Sequence, residues 1–166
     1  MKKLARLTAL LLTSVMLLLL ASCGAAPLTP EQQAKQEIFN AINAVRKERG
    51  SPLLREVPKL TQLEQEFIEH FREAGTKGIP NSEARKLEEE LYNKQKEAGW
   101  QFTGGIAYSY FGSSAKLGNV YEGDTEAFRK KLSIFSVEDA STALSIGVVT
   151  IEGKIYWTAT TLKPIT

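Results

Sequence analysis

ALSIGVVTIEGKIYWTATTL, residues 143–162, is two β-rich runs joined at Glu152-Gly153. Val, Ile, Thr, Tyr and Trp suit a pleated, partly buried surface, and a two-residue Glu-Gly joint between such runs is a hairpin signal. The spacing predicts strands over Ala143 to Ile151 and Lys154 to Leu162, paired antiparallel. Just upstream, Asp124-Thr125 can cap a short helix with Ala127, Phe128, the stem of Lys131, Leu132 and Phe135 facing inward. Residues Ser113 to Gly123 carry turn formers without a period and predict a long loop. Between Trp100 and Phe111 the apolar residues Trp100, Phe102, Ile106, Tyr108 and Tyr110 fall on even positions, the alternation of a half-buried strand. Gly104-Gly105 interrupts that alternation and marks a bulge or a close backbone approach.

Further upstream the period becomes helical. Thr29-Pro30 opens a helix with Thr29 as cap and Pro30 at the first helical position, where its missing N–H costs nothing. Ala34, Ile38, Ala41, Ile42 and Val45 form its apolar stripe, Gly50 stops it, and Ser51 to Val57 is a connector. A second helix from Pro58 carries Leu60, Leu63, Phe67, Phe71 and Ala74 on one face and ends at Gly75 and Gly78. A third begins at Asn81-Ser82, is more polar, shows the stripe Ala84, Leu87, Leu91 and Ala98, and closes at Gly99. Helices first and a hairpin last predict an α+β fold, with N-terminal helices packed on a small antiparallel sheet.

The chain start reads as a targeting segment. Lys2, Lys3 and Arg6 precede an apolar run from Ala9 to Leu20, which is too short for a membrane span of roughly 20 residues. Leu20-Ala21-Ser22-Cys23 follows: an aliphatic residue, two small ones and a cysteine. This resembles the lipobox of bacterial lipoproteins, whose cysteine accepts a diacylglyceryl group before the signal peptide is cut off ahead of it. The alternative is an ordinary signal peptide cut near Ala25-Ala26. Cys23 is the single cysteine in the chain, so no intrachain disulfide is possible, and lipidation accounts for an otherwise unpaired thiol. Two or three acyl chains would hold the protein essentially irreversibly, since each buried methylene contributes about 0.8 kcal/mol. The expected division is therefore a signal peptide over residues 1–22, a lipidated N-terminus and linker over 23–29, and one domain over 30–166.

Charge narrows the choice of partner. The whole chain carries 21 basic and 19 acidic residues, a net +2. Lys2, Lys3 and Arg6 leave with the signal, so the mature chain holds 18 basic against 19 acidic, or −1. No electrostatic case for nucleic acid remains. The expected location is the cell membrane or outer membrane, lipid-anchored and facing the extracytoplasmic side.

Ile42-Asn43 and Arg46, then Gly50, Pro52-Leu53 and Leu60, resemble the opening of CAP domains, also called SCP domains, of the cysteine-rich secretory protein, antigen 5 and pathogenesis-related superfamily. Gly99-Trp100 and Gly104 sit where that family has a glycine–aromatic pair and a Gly-Glu-Asn turn. Ala127-Phe128, Ile146-Gly147-Val148 and Tyr156-Trp157 resemble its Ala-Trp helix start, Ile-Gly-Val strand and Tyr-Trp strand. The resemblance runs from about residue 36 to 162 and implies an α-β-α sandwich. It also implies that Asn43, Arg46, Gly104, Gly147 and Trp157 are fold-defining positions.

The family's cleft usually gathers two histidines and two acids around a divalent metal. Here residues 77–80 offer no ligand where the first histidine is expected, Ile134 stands at the second, and Gly104-Gly105-Ile106 replaces the acidic turn. A zinc site needs three or four convergent ligands, and His70 is the one histidine of the chain. No metal and no cofactor are expected. His70 lies one turn after Glu66 and reads as an i,i+4 helix pair or as a lone functional imidazole without a catalytic partner. Glu122, Asp124 and Glu126 suit the approach to a helix N-terminus or, alternatively, a cation; Glu88-Glu89-Glu90 reads as a solvated helix face. The aromatic stretch Trp100, Phe102, Tyr108 and Tyr110 is core strand or the lining of an apolar groove, and some CAP proteins bind sterols or fatty acids. The expected function is a membrane-anchored binding or structural module of the cell envelope, with an envelope protein or apolar ligand as partner. A hydrophobic-ligand carrier is the alternative. A hydrolase has no Ser-His-Asp, Cys-His or paired-carboxylate arrangement to stand on.

Overall fold

The computed structural model describes residues 27–106, 108–123, 126, 129, 132 and 140–166. Cys23 and the targeting segment lie outside them, as do Ala127, Phe128, Lys131 and Phe135 of the expected fourth helix. Glu126, Arg129 and Leu132 are helical, and Leu132 is buried.

The first helix, α1 (Pro30–Glu48), starts at a capping box. The Gln32 N–H donates to Thr29 Oγ1 at 3.2 Å while the Thr29 N–H donates to Gln32 Oε1 at 2.9 Å. Two N–H groups that the first turn would leave open are thus satisfied. Gly50, with φ +72°, takes the left-handed turn that reverses the chain after the helix. Strand β1 (Arg55–Glu56) interrupts the expected connector. Helix α2 (Pro58–Ala74) follows, continued by a single 3-10 turn over Gly75–Lys77 and by strand β2 (Ile79–Pro80). Helix α3 (Asn81–Glu97) ends one residue before Ala98, which is exposed, so the inward stripe is Ala84, Leu91 and the polar Gln95. Asn81 does not cap this helix with its side chain; its Nδ2 donates to the Gly112 carbonyl at 2.9 Å.

Strands β3 (Trp100–Ile106), β4 (Tyr108–Phe111), β5 (Ser114–Leu117) and β6 (Val120–Tyr121) come next. The loop expected over Ser113 to Gly123 therefore holds two strands. Both are short, four and two residues; β5 pairs with the adjacent β4 and with β2, and β6 pairs with the distant β8, which a local period does not register. The terminal hairpin is β7 (Ala143–Ile151) and β8 (Lys154–Pro164), paired antiparallel from Ala143–Leu162 to Ile151–Lys154. Glu152 and Gly153 both have positive φ, +49° and +76°, as a type I′ turn requires.

The main sheet runs β1-β7-β8-β3, with β1 parallel to β7 and β6 also against β8. A second, separate sheet has the order β2-β5-β4. The register of β3 on β8 shifts between Phe102 and Gly104, so the expected irregularity is a bulge centred on Thr103.

Alternation along β7 sorts the core into two faces. Leu144, Ile146 and Val148 join Trp157 and Ala159 of β8 beneath the α1 stripe and Leu132. Val149 and Ile151 turn the other way, against Leu63, Phe67, Ile68 and Phe71 of α2 and Ala84 and Leu91 of α3. Leu60, Ala143 and Leu162 fill the far end of that face. The fold is α+β, with α1 on one side of the sheet and α2 and α3 on the other. Among the described residues, no helix is long and apolar enough to cross a membrane.

Candidate functional site

Three places in the fold combine polar groups in fixed geometry. The first joins α1 to the chain that follows it. Asn43 Nδ2 donates to the Leu54 carbonyl at 3.0 Å, and the Leu54 N–H returns a bond to Asn43 Oδ1 at 2.8 Å. One amide side chain thus stands in for a strand partner. Arg46, almost wholly buried, donates from Nε to the Pro52 carbonyl at 2.6 Å and from Nη2 to the Ser141 carbonyl at 3.4 Å. Both residues bind backbone, so their work is to hold α1, the 52–54 connector and the start of β7 together.

The second is a groove of about 420 Å³ between α1 and the β1–β7 edge. Gln32, Lys35, Gln36, Phe39 and Asn40 line it from one helical face, Glu56 from β1, and Leu144 and Ile146 form its floor; Leu28 of the linker closes one end. Lys35 Nζ and Glu56 Oε1 are 2.9 Å apart across the rim. Burial works against the Glu56 charge, but the Lys35 ammonium and the Thr61 hydroxyl outweigh it and hold the carboxyl below its usual range. The groove has an apolar floor and a polar rim, the composition of a small-molecule site.

The third is interior. Glu64 of α2 is fully buried against the central hairpin. Its Oε2 accepts from Thr160 Oγ1 at 2.8 Å and from Ser145 Oγ at 3.2 Å. Gln95 of α3, also fully buried, donates from Nε2 to Thr160 Oγ1 at 3.2 Å. Burial pushes the Glu64 carboxyl up from its ordinary value; the hydroxyls of Thr158, Thr160 and Ser145 only partly offset this. The sequence carried a signal for this cluster, an acid standing inside the stripe Leu60, Leu63, Phe67, Phe71.

Gly147, in the same strand as Ser145, lets α2 approach. A β-carbon there would lie 2.7 Å from the Glu64 carbonyl oxygen and 2.9 Å from Ile68 Cγ2. Gly104 is less crowded, 3.4 Å from Thr161 Oγ1, and its carbonyl accepts from that hydroxyl at 3.1 Å. The bulge beside it is held by Thr103, whose Oγ1 donates to the Thr161 carbonyl at 2.7 Å and lies 2.7 Å from Ser141 Oγ. Trp157 is buried under α1.

The aromatic stretch does not converge on a groove where it is described. Trp100 is half-buried with the Arg55 guanidinium 5.5 Å from its ring centroid. Phe102 is exposed rather than in the core, because it sits on the edge strand and stacks on Tyr92 of α3 at 4.5 Å between centroids. The side chains of Tyr108 and Tyr110 lie outside the described residues. His70 is exposed. Its expected neighbour Glu66 accepts instead from Gln62 Nε2 at 2.9 Å and lies 3.8 Å from Lys94 Nζ. Among the described residues, no three His, Cys, Asp or Glu side chains gather as a metal would need. Of the Glu122, Asp124 and Glu126 cluster, Asp124 lies outside the described residues.

No protein-family model matches the chain, and no curated protein or solved structure matches it either.

Proposed function

We propose that the chain is a lipid-anchored protein of the bacterial cell envelope, held through Cys23 and facing the extracytoplasmic side. Its domain, a divergent CAP-like module, acts by binding or as a structural element and not by catalysis. The observation that carries this reading is Leu20-Ala21-Ser22-Cys23 directly after a short apolar run. Two features of the fold support the non-catalytic half. Asn43 and Arg46 spend their polar atoms on backbone carbonyls and an N–H. The exposed His70 is not among the residues that line the groove. The test is metabolic labelling with a clickable palmitate analogue in a bacterial host. Wild-type protein is expected to take up label and Cys23→Ser to take up none; equal labelling of the two, or none of either, defeats the proposal.

A second reading, a carrier of an apolar ligand, is favoured by the groove over Leu144 and Ile146 and not by the aromatic strand. Leu28 lines that groove, and the six residue-to-residue steps from Cys23 to Thr29 reach at most about 20 Å. An anchored domain would therefore hold the groove close to the lipid surface. Organic extraction of protein purified from native membranes should then release a stoichiometric lipid besides the covalent anchor. A clean extract removes this reading and leaves the first intact.

A further inference from the structure

The interior cluster around Glu64 serves neither the anchor nor the groove, and one oxygen of its carboxyl is left without a hydrogen-bond partner. Ser145 and Thr160 carry one hydroxyl hydrogen each. Their oxygens are 2.6 Å apart, and both lie within reach of the same carboxylate oxygen, Oε2. The other oxygen, Glu64 Oε1, is buried without a hydrogen-bond partner among the described residues. So are Gln95 Oε1, a second acceptor of the same cluster, and Thr158 Oγ1, a hydroxyl that can donate or accept. Thr158 is near enough to favour the charged form of Glu64, yet its hydroxyl lies outside hydrogen-bonding geometry.

A buried acceptor without a partner calls for a donor. A cation would supply positive charge but needs room and ligands, and among the described residues no group of three His, Cys, Asp or Glu side chains gathers around Glu64. A proton needs no room. On Oε1 it converts the unserved acceptor into a donor for Gln95 or Thr158.

Among the described residues, the side chains that hydrogen-bond or act on Glu64 carry no counter-charge. From β7 comes Ser145, from β8 come Thr158 and Thr160, and from α3 comes the neutral Gln95. The nearest charged residue of α3 in sequence, Lys94, is exposed and directs its ammonium to Glu66. On α2 itself, Glu66 and Glu69 are occupied on the outer side with Gln62, Lys94, Gln65 and Arg72.

We propose that Glu64 is a proton-held latch: its carboxyl is neutral in the folded protein at physiological pH, and its ionisation loosens the α2–α3 layer from the central hairpin. The group spans three elements, so losing its proton places an unpaired charge at the joint of helix, helix and sheet. Glu64→Gln should mimic the protonated form, because its amide donates where the acid proton would.

Thermal unfolding of the full-length protein in detergent tests this from about pH 4 to about pH 9. Wild type is expected to lose stability relative to Glu64→Gln as pH rises. Between the ordinary glutamate range and the pH at which Glu64 ionises, the unfolding equilibrium should shift by up to about tenfold per pH unit. Amide exchange in α2, compared between the two proteins at the same pH, should rise in wild type alone. Parallel stability curves with equal exchange overturn the proposal. An infrared spectrum keeps the test open even if the variant does not fold. At neutral pH wild type should show the carbonyl band of a buried protonated carboxyl, fading as pH rises; its absence overturns the proposal.

Discussion

At Gly147 a missing side chain sets the distance between two layers. Its strand position faces α2, and a β-carbon would press on the backbone of Glu64, which cannot swing aside as a flexible side chain can. Gly147→Ala is therefore expected to destabilise by about 1–3 kcal/mol, the usual cost of overpacking a core. Denaturant unfolding measures it, and a loss below about 0.5 kcal/mol would show that the layers yield freely at this point. The same residue shows what sequence reading can reach. Glycine between Ile146 and Val148 stands out in a strand, and the family resemblance singles it out, but neither names the helix carbonyl that crowds it. Glu64 was legible only as an acid in an apolar stripe. Its partners Ser145 and Thr160, and Gln95 bonded to Thr160 behind them, lie on three other elements, beyond any local spacing. Asn43 and Arg46 are intermediate: both fall on the first helix as read, while their carbonyl partners come from the chain fold itself.

Elements with strong local periods are where the sequence speaks most clearly. The α1 stripe, its cap at Thr29 and the Glu152-Gly153 turn follow from patterns within a few residues. Strand β6 does not, because its partner is the distant β8, and the hairpin of β4 and β5 is held in addition by the distant β2. The start of α1 illustrates a tie that spans elements. Glu31 accepts from the Thr150 N–H at 2.7 Å and from Arg72 Nη2 at 2.9 Å, and Arg72 Nε also lies 2.6 Å from Glu69 Oε2. Burial raises the Glu31 carboxyl, but Arg72 and Thr150 outweigh it and hold it below its usual range. The sign follows: the stabilisation is present above the unfolded value, roughly pH 4, and is lost as pH falls through the folded value. Glu31→Gln should thus be less stable than wild type at neutral pH, with the two converging in acid. A constant difference at every pH would show that the charge of Glu31 contributes nothing. The Glu64 latch runs in the opposite direction, so acid weakens one joint of the molecule while alkali weakens another.

For the whole molecule, the layers explain how a chain whose third helix is so polar still folds. The hairpin β7–β8 is apolar on both faces and lies between α1 and the α2–α3 pair, each helix supplying only one stripe. Nothing in that arrangement requires a metal or a disulfide, and its polar interior is committed to holding elements together. Leu28, next to the cap of α1, lines the groove beneath that helix, so the proposed anchor at Cys23 would lie close to it in sequence. The account stands most directly on the state of that cysteine. Mass spectrometry of the N-terminal peptide, from protein purified out of native membranes, reads it. The expected peptide begins at Cys23 and carries a diacylglyceryl group on the sulfur. A free thiol at Cys23, or a mature chain that begins after Ala25 or Ala26, would contradict it.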